Sequence, residues 1–282
     1  MILTNLHNLH PLVLKGAETF LQRPRPESMR VTEMKNPSII KKLMMEHWDR
    51  LTQDISDLAW SMYGTSVHRM FEKLSLPGMV QGLRMETKKF GLPITGTLDV
   101  LDFNTQEIMD FKTTSVWKIV YGDYDDFIKQ LNLYMYLAAG YGIKVTKLSN
   151  TLILKDWKSR DAKQDQGGKY PKSPIVSFNS PVYTLGQMES YIKTRLKAHE
   201  TEQDKVCSAE DRWERVSYAV MRPGQKRAVS THDNQQDADI ACAAHYDKTV
   251  TVVKRGGNPL RCLEYCPVRG YCPFGKILDI KS

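Results

Sequence analysis

The chain has 282 residues, 41% of them hydrophobic and 26% charged, which is enough to form a sizeable core. Forty Lys and Arg against 32 Asp and Glu give a net charge of +8, which favours a polyanionic partner. The sequence contains no run of eighteen apolar residues, and its first twenty residues lack the pattern of a signal peptide. We therefore expect no membrane span and a cytoplasmic location.

The first half of the chain predicts helices followed by strands. Residues 36–74 have a helical pattern in two pieces, the second beginning near Gly64 and carrying His68 on one face. Strands are predicted near 80–90, 93–103 and 107–114, then a helix over 124–140 and an apolar strand from Lys147. A helix between the third and fourth strands is typical of a mixed sheet with helices packed on it.

The second half is less regular. A basic, Gly-containing loop over 155–172 precedes further short elements, predicted as a helix near 185–203, strands near 214–230, a helix near 233–246 and a strand near 248–254. The chain ends in a segment rich in Cys, Pro and Gly. Because no linker separates two parts, we predict a single domain over 1–282, with a core at about 60–155 and an extension at about 205–275.

Two of the predicted strands bring acidic and basic side chains together. Asp110 and Lys112 are two residues apart on one strand and therefore share a face. Asp99 lies on the preceding strand, and a hairpin that turns near Asn104 places it close to Asp110. Two carboxylates suit a hard divalent cation such as Mg²⁺, and a neighbouring lysine can stabilise developing negative charge. An exposed ion pair of little energetic value is the alternative interpretation of Asp110 and Lys112.

Three short motifs carry a resemblance to a known family. "GTLDV" followed by "DFKTTS" resembles the signature of the PD-(D/E)xK nuclease superfamily, whose core is restriction-endonuclease-like. "GTSVH" at Gly64–His68 and "QLNLY" at Gln130–Tyr134 resemble two further motifs of its RecB-like exonuclease branch, in the same order. The resemblance covers about residues 60–155.

The resemblance implies a role for each matching residue. It implies metal ligation by the side chains of His68, Asp99 and Asp110 and by the Phe111 backbone carbonyl. It implies that Lys112 is the catalytic lysine, and that Gln130 and Tyr134 support the site and position a DNA strand. Mg²⁺ or Mn²⁺ is the implied metal.

Three cysteines are close together near the C-terminus: Cys262, Cys266 and Cys272, spaced C-x3-C-x5-C. Four cysteines can hold zinc or an iron–sulfur cluster. The spacing resembles the C-terminal cysteines of phage and CRISPR-associated RecB-like nucleases, which implies a 4Fe–4S cluster that staples the C-terminus. Those proteins place a fourth cysteine before the nuclease core, where this chain has none. Cys207 and Cys242 are the candidates here, and we favour Cys207 because Cys242 lies in an Ala-rich helical segment.

The loop over 155–172 is the candidate DNA-binding segment, with Lys155, Trp157, Lys158 and Arg160 as its leading residues. Cationic side chains interleaved with aromatic rings bind single strands without reading their sequence. A solvated loop is an equally weighted alternative, because the segment also contains acidic side chains.

These patterns together predict an α/β nuclease with a C-terminal cysteine staple. The predicted activity is metal-dependent exonuclease cleavage of single-stranded or frayed DNA ends in recombination, repair or end processing, in the host cytoplasm if the protein is phage-encoded. The chain has no phosphate-binding loop of the GxxxxGK[ST] type, so unwinding would need a partner helicase or recombinase. The alternatives are a non-catalytic DNA-binding subunit and a zinc-stapled scaffold.

Overall fold

The computed structural model describes residues 1–20, 28–165 and 167–281. Contacts between residues group the chain into two units, the first formed by 1–36 and 48–201 and the second by 37–47 and 202–282. The single domain over 1–282 stays a prediction.

The first unit contains the strands and helices that were predicted for the nuclease core. Its strands are β1 (Ile2–Thr4), β2 (Met29–Arg30), β3 (Thr52–Asp54), β4 (Met79–Thr87), β5 (Ile94–Asp102), β6 (Glu107–Thr114), β7 (Lys147–Leu154) and β8 (Ile175–Ser180). Its helices are α1 (Pro11–Phe20), α2 (Val31–Met34), α4 (Ala59–Glu72), α5 (Trp117–Val120), α6 (Asp125–Gly140), α7 (Ser159–Gln164) and α8 (Leu185–Thr201), with 3-10 turns at Trp48–Arg50 and Ile55–Leu58.

A mixed sheet organises the first unit. In the described part of the chain its strand order is β2-β5-β6-β7-β8, with β4 paired to the other edge of β5. The β5–β6 hairpin is antiparallel, whereas β6 and β7 are parallel and connected through α6. This arrangement confirms the predicted α/β fold with a mixed sheet flanked by helices, including the helical crossover between the third and fourth strands.

Helix α6 forms the centre of the core. It begins with Asp125 and Asp126, which favour a helix N-terminus, and nearly every following side chain up to Ala138 is buried. Leu131 and Leu137 pack in one cluster with Ile108 and Leu148 of the sheet. Because the helix contacts both the strands and α8, its position is fixed from more than one side.

Two local predictions were wrong, and one strand was missed. Helix α4 begins at Ala59, not near Gly64, so Gly64 lies in its interior. Glycine suits this position because an added β-carbon would lie 3.0 Å from Thr113 Oγ1 on β6. Within the predicted loop over 155–172, Ser159–Gln164 forms the short helix α7. Strand β8 was not predicted, because its exposed edge position gives it few buried apolar residues.

The second unit combines a small sheet with helices. Its strands β9 (Ser217–Met221), β10 (Ser230–His232) and β11 (Thr251–Arg255) form an antiparallel sheet in the order β10-β9-β11. Its helices are α3 (Ser38–His47), α9 (Gln235–Ala244) and α10 (Pro273–Lys281), with a π turn at Arg261–Tyr265 and a 3-10 turn at Arg269–Tyr271. Across both units, no helix in the described residues is long and apolar enough to span a bilayer.

Gly96 on β5 supplies a test of the packing. A β-carbon at this position would lie 2.8 Å from Tyr134 Cε1 and 2.9 Å from Val31 Cγ2, both in the core. We expect Gly96→Ala to lower the free energy of unfolding by about 1–3 kcal/mol, measured by urea denaturation. Gly140→Ala is the matched control, because nothing lies within 4 Å of its added carbon and alanine favours a helix. Equal stability of the two variants would contradict the close packing at Gly96.

Candidate active site

The site forms where β5 and β6 separate. Their ladder pairs Asp102 with Glu107 and ends at Val100 and Met109, so the next facing positions, Asp99 and Asp110, are no longer joined backbone to backbone. Instead, the Phe111 N–H donates to Asp99 Oδ2 over 2.7 Å. A side-chain carboxylate thus replaces the partner strand, and the hairpin opens at the positions of the two aspartates.

Asp110 is the most buried acidic group at this opening. Its side chain is 2% exposed, and its Oδ1 accepts a hydrogen bond of 3.3 Å from Gln130 Nε2. Its Oδ2 lies 2.5 Å from Lys112 Nζ in an ion pair, and no other described residue donates a hydrogen bond to it. Burial raises the pKa of Asp110 to about 6, and the charge of Lys112 opposes this rise. Asp110 Oδ2 is therefore a buried oxygen with a free lone pair.

His68 approaches from α4. Its Nδ1 lies 3.1 Å from Asp99 Oδ1, and this contact raises the pKa of His68 above its usual value, against the opposing effect of burial. The ring of Phe71 stacks on that of Phe111 with 4.1 Å between centroids, which holds α4 against β6. Sequence reasoning did not find Phe71, although its position three residues after His68 places it on the same helical face.

Gln130 and Tyr134 lie one turn apart on α6, as predicted. Gln130 Nε2 donates to Tyr134 Oη over 2.9 Å as well as to Asp110, so one amide joins the helix to the carboxylate. Burial raises the pKa of Tyr134 well above its usual value, so the side chain stays a neutral phenol. The pair supports Asp110 from behind and lies in the core.

Lys112 points over an aromatic ring that the sequence analysis missed. Its Nζ lies 5.7 Å from the centroid of Phe127, within the range of a cation–π contact. Lys118 Nζ also lies over the Phe127 ring, 4.9 Å from its centroid. Phe127 precedes Gln130 by three residues, so its helical spacing is the signal that would have identified it.

The side chains at the opening suit a divalent cation chemically. In the described residues, no three His, Cys, Asp or Glu side chains are grouped closely enough to chelate one ion as they stand. However, the donor set of His68, Asp99 and Asp110 is the kind that binds hard or borderline divalent ions, and Asp110 Oδ2 is buried with an unused lone pair. The N–H and C=O of a strand residue lie on the same edge, so the Phe111 carbonyl faces the opening alongside its N–H. These features fit a bound cation.

The second unit contains a cavity lined by four cysteines, Cys207, Cys262, Cys266 and Cys272. Cys242 does not line it, because it lies on α9 and its Sγ donates to the Val250 carbonyl. Burial raises the pKa of Cys207 to about 11 and also raises the pKa values of Cys262 and Cys266. Burial therefore favours the protonated thiol at Cys207, Cys262 and Cys266, and the four sulfurs line one space.

The four candidate DNA-binding residues differ in exposure and in the contacts they make. Lys155 Nζ lies 3.9 Å from the centroid of Trp60, an exposed ring on α4. Trp157 is half-buried, and its indole N–H donates to the Pro171 carbonyl. Lys158 is exposed and held through its backbone N–H by Tyr170 Oη, and Arg160 is exposed on α7. The ring of Trp157 packs inward and is poorly placed to stack on a base.

No protein-family model matches the chain, and no curated protein matches its sequence. Among solved structures, SSO0001 is 16% identical with a TM-score of 0.49, covering 72% of this chain and 90% of its own. A phage-related exonuclease from Haemophilus somnus 129PT is 14% identical with a TM-score of 0.32, and the match covers 63% of this chain and 94% of that one. The alkaline exonuclease LHK-Exo from Laribacter hongkongensis is 10% identical with a TM-score of 0.38, and the match covers 64% of this chain and 91% of that one. Similarity at this level does not establish what this chain does.

The hydrogen bond at the strand opening gives a test with two variants of Asp99. Asp99→Ala removes the acceptor of the Phe111 N–H, and we expect a loss of about 1–3 kcal/mol in the free energy of unfolding. Asp99→Asn keeps an oxygen that can accept this bond, so it should lose much less. Chemical denaturation of both variants measures the difference, and equal losses would show that the bond does not hold the opening.

Proposed function

We propose that this chain is a metal-dependent deoxyribonuclease that hydrolyses phosphodiester bonds. The observation that carries the proposal is the strand opening, where His68 contacts Asp99 and Lys112 contacts the buried carboxylate of Asp110.

Each residue has a separate task in this proposal. His68, Asp99, Asp110 and the Phe111 carbonyl would hold Mg²⁺ or Mn²⁺. The bound cation would neutralise charge on the scissile phosphate and lower the pKa of water. Lys112 supplies an ammonium group next to Asp110, where it can orient the attacking water and stabilise the negative charge that develops on the phosphate.

The supporting residues keep the acidic group in position. The amide of Gln130 fixes Asp110 Oδ1, and Tyr134 accepts the second hydrogen of the same amide. Phe127 covers one side of Lys112 and limits the directions its ammonium group can take. A preorganised site of this kind needs little rearrangement during the reaction.

We further propose DNA as the substrate and exonuclease action on single-stranded or frayed ends as the mode. The support is the resemblance of "GTLDV", "DFKTTS", "GTSVH" and "QLNLY" to the RecB-like exonuclease branch, together with a net charge of +8. Recombination, repair or end processing would be the setting, with a helicase or recombinase as a possible partner.

Cleavage of end-labelled single-stranded DNA tests this proposal. We expect wild type to degrade it with Mg²⁺ or Mn²⁺, and Asp110→Asn and Lys112→Met each to lower kcat by at least about 100-fold, because each removes a charged group from the reacting centre. Product lengths over time distinguish release of short products from one end from internal cuts.

The matched control is Lys147→Met. Lys147 pairs with Glu107 over 3.0 Å at the other end of the same strand pair, so it is an ion pair of the same kind outside the site. Its loss should leave cleavage unchanged. If wild type and all variants bind DNA and none cuts it, the chain is a DNA-binding subunit and the proposed hydrolysis is refuted.

We also propose that Cys207, Cys262, Cys266 and Cys272 hold a 4Fe–4S cluster. The support is that these four thiols line one cavity, while Cys242 is engaged elsewhere. A cluster places its ligands farther apart than a single ion does, and when bound it would tie α10 to the segment around Cys207.

Metal analysis after anaerobic purification tests the cluster. Wild type should show visible absorption and about four iron and four sulfide per chain, since all four ligands come from one chain. Cys207→Ser should lose most of this iron, whereas Cys242→Ser should keep it. Zinc in place of iron would refute the cluster, and equal iron in both variants would exclude Cys207 as the fourth ligand.

A further inference from the structure

Exposed aromatic rings lie at the end of the sheet beyond Lys112. Trp60 is 60% exposed, and Trp117 and Tyr121 are each 52% exposed. The last two rings stack on each other, with 5.9 Å between centroids and 29° between planes. Exposed aromatic rings at one end of a sheet, next to a candidate active site, offer a surface on which a ligand could pack.

Trp60 belongs to the same ridge of α4 as the candidate metal ligand. Trp60, Gly64 and His68 follow one another at intervals of four residues and therefore share a helical face. His68 contacts Asp99 on β5, Gly64 lies against Thr113 on β6, and Trp60 lies under Lys155, just after β7. The ridge thus crosses three adjacent strands, and Trp60 lies about 12 Å from His68 along the helix axis.

The second pair of rings is fixed to the same end of the sheet. Strands β6 and β7 are parallel and end side by side at Thr114 and Leu154, and the Lys155 N–H donates to the Thr114 carbonyl. Asp156 then accepts hydrogen bonds from Ser115 Oγ at 2.6 Å and from the Val116 N–H at 2.7 Å. This cap sets the start of α5, which carries Trp117.

A cation lies against one of these rings. Lys155 Nζ lies 3.9 Å from the centre of the Trp60 ring, so a cation and an exposed π-face are presented together. The neighbouring Asp156 stays a carboxylate, held by hydrogen bonds from Ser115 and Val116 in the turn. An aromatic face beside a cation binds a base and its phosphate, and it favours single strands because their bases are unstacked.

We propose that Trp60, Trp117 and Tyr121, with Lys155, form a stacking surface that binds the bases of a single DNA strand and directs its backbone to Lys112. The inference rests on the proposed nuclease function and adds the residues that select single-stranded over duplex DNA. It replaces Trp157 as the expected stacking residue, because the Trp157 indole is packed inward and hydrogen-bonded to Pro171.

Binding without cleavage tests the surface separately from the enzyme activity. Fluorescence anisotropy with a labelled single-stranded oligonucleotide and its blunt duplex, in EDTA, measures Kd while the DNA stays intact. We expect Trp60→Ala to raise the Kd for the single strand by about 5- to 150-fold, the value of one stacked base, and to change duplex binding little. Trp60→Phe should retain most of the affinity, since it keeps an aromatic face.

Two further variants make the test specific. Trp117→Ala, on a different element, should also weaken binding of the single strand. Phe103→Ala is the matched control, because Phe103 is an equally exposed ring in the β5–β6 turn at the opposite end of the hairpin, and its loss should have no effect. In active protein, Trp60→Ala should raise KM with kcat retained.

Other results would overturn the inference. They are unchanged single-strand binding by Trp60→Ala, equal losses for single strand and duplex, or a Trp60→Phe variant as weak as Trp60→Ala. If wild type binds single strands through Trp60 but never cleaves them, the stacking surface stands and the nuclease proposal fails. If wild type cleaves DNA and Trp60→Ala has the KM of wild type, the nuclease proposal stands and the stacking surface fails.

Discussion

The hydrogen bond from the Phe111 N–H to Asp99 Oδ2 is the interaction on which the site depends. A hairpin such as β5–β6 would ordinarily continue its ladder, and each backbone group would pair with the facing strand. Here a carboxylate satisfies the N–H, so the strands can part without leaving that donor unpaired. The separation makes room for a second carboxylate, a lysine and a histidine. Without it, Asp99 and Asp110 would be ordinary facing residues of a closed ladder.

The surrounding structure holds this opening by packing. Helix α6 positions Gln130 to donate a hydrogen bond to Asp110 from the core. Gly96 on β5 lets Tyr134 of the same helix approach the strand closely. Helix α4 brings His68 from the other direction, and Gly64 permits that approach next to Thr113. Both glycines therefore act by leaving space for a neighbouring element. The buried environment that results raises the pKa of Asp110, as expected for an acid with restricted access to water.

The sequence predicted the central features of this arrangement because they are local or periodic. The two-residue spacing of Asp110 and Lys112, the hairpin turn near Asn104 and the four-residue spacing of Gln130 and Tyr134 each follow from strand or helix geometry. The contributions of Phe71 and Phe127 depend on which helix face meets which strand, which no local pattern specifies. The start of α4 was predicted too late because glycine is common at helix ends, whereas Gly64 lies inside the helix and allows close contact with β6. The inward packing of Trp157 likewise depends on Pro171, fourteen residues away.

The central claim is that the opened hairpin binds a divalent cation through Asp110. Titration of wild type with Mn²⁺, with the free ion followed by electron paramagnetic resonance, measures this binding without any assumption about substrate. The account predicts saturable binding of Mn²⁺ by wild type and its loss in Asp110→Asn, while Lys147→Met binds as wild type does. Mn²⁺ binding that is missing in wild type, or that persists unchanged in Asp110→Asn, would contradict it.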